Sequence, residues 1–338
     1  MHQTHGVAAC KAGRPALVRH HLFRASAFAG LLAAFATAAH ASCGSAFCSI
    51  NTDWGAGTTG LTEGSTLDVR YENIRQDQPR AGSRRVAVGE IRHHHDEVRT
   101  FNQNLVATYN HTWASGWGIS ATVPFVDRDH RHIHNHHGEQ IPERWKFREI
   151  GDVRLTGRYQ GFLEGSDAAP RMAGFFFGLK LPTGRTKVAN DDGDAAERSL
   201  QPGSGTTDLI AGAFYHQQIA ATGAAWFGQL QLQQPLNSHK EFRPGAQLAL
   251  DVGYAHPFTD RFSGLLQLNT VVKRRDRGAA AEPADSGGRF VYLSPGLSYK
   301  LGETLRIYAY YQHPLHQSVN GVQLTARRAV VVGASTRF

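Results

Sequence analysis

A closed, antiparallel β-barrel of about twelve strands that crosses a membrane is the fold class this sequence predicts. Three features point to it. The chain alternates polar and apolar residues in repeated runs, with no long helical period. The connections between those runs are short and long by turns, as in barrels with tight turns at one end and long loops at the other. The last residue, Phe338, closes an alternating run.

The N-terminus comes first. Arg14, Arg19 and Arg24 precede the apolar run "ASAFAGLLAAFATAA", which ends at "AHA". A charged start, a short apolar centre and a small-residue end predict a secretory signal peptide over residues 1–41. The run is too short for a comfortable spanning helix. This leader holds four of the 36 Lys+Arg and none of the 28 Asp+Glu. The remaining chain therefore has 32 against 28, which leaves little basic excess. No basic stripe with interleaved aromatics appears, so nucleic acid is not an expected partner.

Residues 42–64 are expected to form a periplasmic segment. It carries "CGSAFC", and in an exported chain Cys43 and Cys48 are expected to close a small disulfide loop. A redox pair would more typically show the tighter C-x-x-C spacing.

Residues 65–338 are expected to form the barrel. The runs lie near 65–78, 97–112, 117–129, 152–163, 171–186, 206–220, 224–236, 246–258, 261–274, 289–301, 304–314 and 322–338. In "NQNLVATYN", Asn102, Asn104, Val106, Thr108 and Asn110 share one face, and Phe101, Leu105 and Tyr109 share the other. In "DVRLTGRYQGFL", Asp152, Arg154, Thr156, Arg158 and Gln160 oppose Val153, Leu155 and Tyr159. Long connections are expected near 79–96, 130–151, 187–205, 237–245, 275–288 and 315–321. Closure of the sheet leaves no unpaired edge in lipid. A terminal aromatic on such a strand resembles the assembly signal of Gram-negative outer-membrane barrels. Outer-membrane lipid and the barrel assembly machinery are therefore the expected partners, and the outer membrane of a Gram-negative bacterium the expected location.

Two further stretches carry a family resemblance. "FGLKLPTGRT" supplies Leu181, Pro182, Thr183 and Gly184, and "QPGSGTTDLIAGAFY" supplies Gly203, Ser204, Gly205 and Asp208. A strand ending in L-P-T-G, followed by a loop and then G-[ST]-G-x-x-D, resembles the outer-membrane β-barrel family named for the MetA pathway of phenol degradation. The resemblance implies a barrel that transports small organic or aromatic molecules. Read on its own residues, the motif is a turn: Pro182 drops a ladder bond at a strand end, and Gly184 permits the reversal.

Histidine is the other conspicuous residue. Five of the 19 lie in the leader and fourteen beyond it. His93, His94 and His95 fall in the first expected long loop, and His130, His132, His134, His136 and His137 in the second. These eight are the candidate metal ligands, since neutral imidazole suits Zn, Cu or Ni. If the third strand runs on past Phe125, the even-numbered histidines form an inward ladder with steps of about 7 Å. That is too wide for chelation by one strand alone, and Asp127 and Asp129 are candidate helpers. A solvated loop that binds nothing remains open at this point.

Inward cations, Arg154, Arg158, Lys180, Lys300, Arg306, Arg327 and Arg337, face Asp152, Asp208 and Asp251. They are expected either to pair across the interior or to favour anionic solutes. Tyr292, Tyr308 and Tyr310 narrow the bore. No catalytic residues are expected: His316 with Ser318, and His239 with Ser238, lie in no nucleophile motif, so the chain is not expected to be an enzyme. The expectation is a barrel for passage or capture of a small solute, with a His-rich exterior rim that binds a transition metal. The alternatives are a narrow channel for organic molecules with incidental histidines, or a metal-binding platform that transports nothing.

Overall fold

The computed structural model describes residues 41–42, 49–52, 63–91, 96–136, 139–163 and 170–338. The expected signal peptide and the Cys43–Cys48 loop lie outside these residues, apart from Ala41 and Ser42.

Thirteen strands build the wall. They are β1 (Gly64–Ala81), β2 (Asp96–Thr112), β3 (Trp117–His136), β4 (Glu139–Ile150), β5 (Arg154–Leu163), β6 (Arg171–Lys180), β7 (Asp208–Gln218), β8 (Ala225–Pro235), β9 (Gln247–Pro257), β10 (Phe262–Lys273), β11 (Ser286–Lys300), β12 (Leu305–Val319) and β13 (Val322–Arg337). Except at β4, each pairs antiparallel with two neighbours, and β13 pairs back onto β1 from Val322↔Ala81 to Arg337↔Thr66. The ring is closed. β4 and β5 share one wall position: β5 pairs with the lower half of β3, and β4 with its upper half. The barrel therefore has twelve staves, as the alternation predicts. Phe338 extends the seam, exchanging backbone hydrogen bonds with Ser65 at 3.0 and 3.1 Å.

The polarity of the wall follows from the two-residue period. Leu105, Leu155 and Leu232 point outward and are 48%, 46% and 41% exposed. Asn102, Asn104 and Thr108, on the opposite face of β2, are buried in the lumen. A soluble barrel would have the reverse arrangement. At the tight-turn end, outward aromatics form a girdle: Trp117 and Tyr159 stand 5.1 Å apart, Trp226 and Tyr254 4.7 Å, and Tyr109 meets Phe338 at 6.5 Å. On β3 the outward face is Trp117, Ile119, Ala121, Val123 and Phe125, then changes to Asp127 and Asp129. These carboxylates pair with Arg148 at 2.7 Å and with Arg144 through two bonds at 2.9 and 2.7 Å. The switch from rings and aliphatics to ion pairs marks the outer edge of the lipid belt.

Two expected loops differ from the structure. Residues 130–151 are mostly an extended hairpin, β3 running to His136 and β4 returning from Glu139. Residues 315–321 are mostly strand, since β12 and β13 meet at Asn320 and Gly321. The wall is thus tall on one side, where β1–β3 have 17–20 residues, and low on the other, where β6–β10 have 10–12.

A third difference concerns the segment expected at the periplasmic face. Ser49–Thr52 lie inside the barrel. The Asn51 backbone N–H donates to Gln267 Oε1 at 3.1 Å, and Gln267 Nε2 donates to the Asn51 carbonyl at 2.7 Å. Gln312 Nε2 donates to Ser49 Oγ at 2.8 Å. Ile50 packs on Leu265, Tyr308, Tyr310 and Val331. An extended backbone needs partners for its polar groups, and the inward amides of this wall supply them. The expected inward position of Tyr308 and Tyr310 holds, whereas Lys300 and Arg327 are exposed.

Candidate functional site

The loop from Leu181 to Thr207 folds back into the lumen, and the family motif is the knot that holds it. Asp152 lies at the centre. Its Oδ2 accepts from Lys180 Nζ at 2.8 Å, from the Ser204 backbone N–H at 2.9 Å and from Ser204 Oγ at 2.8 Å. Its Oδ1 accepts from the Gly184 N–H at 3.1 Å. Thr183 Oγ1 donates to the Gly151 carbonyl at 2.9 Å. The two glycines, Gly184 and Gly203, touch backbone to backbone, and a Cβ on either would collide with the other strand of the loop. Lys180 also reaches Asp208 at 3.3 Å. The inward charges of this region therefore pair, one of the two expected outcomes.

Between its ends the loop packs against the inner face of the tall hairpin. Val188, Ala196 and Leu200 cluster with Val126, Trp145 and Phe147. Trp145 Nε1 donates to the Asp194 carbonyl at 2.9 Å, and Arg128 donates to the Leu200 carbonyl. Gln201 holds the turn of the loop from within, bonding Val188 and Ala196.

Two cavities of about 230 Å³ each remain in the lumen and adjoin one another, since Arg70, Thr122, Arg154 and Gln247 line both. The lower is bounded by Thr108, Asn110, Ser120, Arg158 and Phe214 on one side and by Ser49–Thr52 on the other. The upper lies beneath the loop, with Arg128, Lys180, Arg198 and Lys273 on its walls beside Asp152, Asp208 and Asp276. Cations outnumber acids along both.

The histidines converge in part. His130 and His132 point inward on β3 above the lipid belt and are buried. Their rings do not stand at the strand repeat: the centroids are 5.5 Å apart, and His130 Nε2 lies 3.5 Å from His132 Nδ1. Trp145 packs on both rings, at 5.8 and 4.8 Å. His130 Nδ1 bonds Thr100 Oγ1 at 2.8 Å, and His132 Nε2 bonds Glu143 Oε2 at 2.6 Å. Glu97, opposite on β2, brings Oε2 to 3.9 Å from His130 Nε2, so Glu97, His130 and His132 could hold one ion. From the inward loop, Glu197 Oε1 lies 3.9 Å from His132 Nδ1. Burial, then Glu282 and Asp285, pushes the Glu97 carboxyl up to about 8. Burial, then Glu97, also raises Glu197.

The other candidates fall elsewhere. Asp127 and Asp129 sit on the outer face, bound to arginines, and take no part. For His134 and His136 only the backbone of β3 is described, and His93, His94, His95 and His137 lie outside the described residues. Sequence reasoning missed Glu97, Glu143 and Glu197. The antiparallel register that sets Glu97 opposite His132 could have found the first; nothing local signals the third.

A closed ring with an outward apolar belt, an aromatic girdle and a polar interior defines an outer-membrane β-barrel. The family model described as "Putative MetA-pathway of phenol degradation" matches residues 77–330, and the chain belongs to that family. Among solved structures, it is similar to the COG4313 outer membrane channel from Pseudomonas putida F1. That match is 12% identical with a TM-score of 0.59, covering 82% of this chain and 97% of that one. The translocator domain of the autotransporter NalP from Neisseria meningitidis matches at 9% identity and a TM-score of 0.44, covering 94% and 98%. Comparison with curated proteins gives no match.

Proposed function

We propose that this barrel is a narrow channel for small solutes, selective for anions, whose exterior mouth captures a transition-metal ion. The observation that carries the first part is the pair of adjoining cavities with their excess of Arg and Lys. Guanidinium and ammonium groups on a low-dielectric wall concentrate anions and slow cations. The inward loop and Ser49–Thr52 narrow the lumen to these two adjoining cavities, which supports small solutes rather than polymers as the cargo. The Pseudomonas putida F1 protein that shares this fold is described as an outer membrane channel, which agrees with the reading.

Planar-bilayer recordings under a salt gradient test it. The reversal potential should show anion preference, and Arg154→Gln should reduce that preference. No conductance at all would leave a platform that transports nothing.

The second part rests on His130, His132 and Glu97. Zinc titration of the purified barrel tests it, with the histidines of 93–95 and 130–137 changed to Ser as the control; unchanged affinity would reject metal capture. A reading in which the histidines are incidental and aromatic acids are the cargo is favoured by Phe176 and Phe214, which line the lower cavity. Uptake of benzoate that ignores those changes would support it.

A further inference from the structure

The four side chains that meet above the lipid belt come from three separate elements: β2, β3 and the inward loop. We infer that Glu97, His130, His132 and Glu197 form one four-ligand site for a divalent first-row transition ion, which ties the loop to the wall. This rests on the reading that the mouth captures a metal, and specifies where and with what.

The geometry argues for it. Four ligands held tetrahedrally about 2.0–2.1 Å from zinc lie about 3.3 Å from one another. Glu97, His130 and His132 already bring one ligand atom each to within 4.8 Å of one another, with 3.5 Å between the two imidazole nitrogens and 3.9 Å from Glu97 to His130, and Glu197, 3.9 Å from His132, is the outlying fourth that must swing in from the loop. Both rings already have the support that metal-bound histidines have. The far nitrogen of His132 is bonded to the Glu143 carboxylate and that of His130 to the Thr100 hydroxyl, fixing the orientation of the nitrogens that converge. Trp145 covers the pair and limits water.

The surroundings supply a second argument. A cavity of about 60 Å³ opens beside the cluster, bounded by Glu97, Glu197, Asp276, Glu282 and Asp285 against Arg198. Asp276 is held by Lys273 at 3.4 Å, and the four other acidic groups beside one guanidinium give a chamber that favours a divalent cation next to the imidazoles. Nitrogen and oxygen donors together suit zinc, cobalt, nickel or copper better than magnesium or calcium.

Calorimetric titration of the purified full-length barrel with Zn(II), and Co(II) absorption as a coordination signature, test the site. One equivalent should bind, with a tetrahedral Co(II) spectrum. Glu97→Gln keeps the shape and burial of the side chain, so folding is preserved; it should weaken binding at least tenfold, as should the paired His130→Asn and His132→Asn change. Glu143→Gln should cost about 10–100-fold through the orientation of His132. Glu197→Gln should weaken binding and alter the Co(II) spectrum. If the wild type binds no zinc, metal capture and this site fall together. If zinc binds but survives the His130 and His132 changes at full strength, other histidines hold it and this site alone is overturned. If Glu197→Gln binds as tightly with the same spectrum, the loop supplies no ligand and the tie is overturned.

Discussion

Asp152 shows how much one side chain organises here. It accepts from a lysine, a serine hydroxyl and two backbone N–H groups, and so joins the end of β6 to both ends of the inward loop. Changing it to Asn leaves Lys180 buried with a weaker partner and removes an acceptor from Ser204. Lys180 keeps Asp208 at 3.3 Å, so its charge is not stranded, and the expected loss is about 1.5–3 kcal/mol for weakened hydrogen bonds to a charged group. Urea unfolding of the barrel in lipid vesicles measures it, against Asp127→Asn on the exposed outer face, which should cost at most about 1 kcal/mol. The sequence motif showed that a turn was needed at Pro182–Gly184; it did not show that the turn serves a carboxylate thirty residues earlier. Glu97 and Glu197 were hidden for the same reason: their meaning depends on register and on a loop trajectory, neither of which has a local period.

At the scale of elements, the inward loop is the part most easily tested. Replacing residues 189–199 with a short Gly–Ser link removes the cluster of Ala196 with Trp145 and opens the roof of the upper cavity. Single-channel conductance should then rise roughly with the cross-section gained, while the barrel still forms, because its wall bonds are untouched. An unchanged conductance would mean that the passage is limited elsewhere. Strand content was legible wherever the two faces differ in polarity, as at Asn102–Asn110 against Leu105 and Tyr109. The hairpin of β3 and β4 was read as a loop because it rises beyond lipid. There Asp127, Asp129 and Arg131 alternate with Arg128, His130 and His132, so both faces are polar and the contrast disappears. The upper edge of β4 pairs with no described strand, and its outward Arg144, Lys146 and Arg148 discourage pairing with another chain.

For the whole molecule, the orientation of the wall is the claim that governs the rest. Leu155 pairs with Ala121, at the middle of the outward apolar run of β3, so Leu155→Arg should destabilise the barrel by about 2–4 kcal/mol. Leu105, like Leu155, stands four residues above a girdle tyrosine, Tyr109, so Leu105→Arg should cost about as much, whereas Tyr109→Arg at the girdle should cost about 0–1 kcal/mol. Equilibrium unfolding from bilayers of fixed thickness compares them, and equal costs at Leu105 and Tyr109 would contradict the depth assigned to the belt. The lodging of Asn51 and Ser49 has a further consequence, which concerns time rather than shape. Their partners Gln267 and Gln312 lie 216 and 263 positions downstream. During synthesis and export, Ser49 and Asn51 have nowhere to dock until the staves carrying Gln267 and Gln312 exist. This part of the interior is therefore furnished late in folding, by a segment made long before its partners.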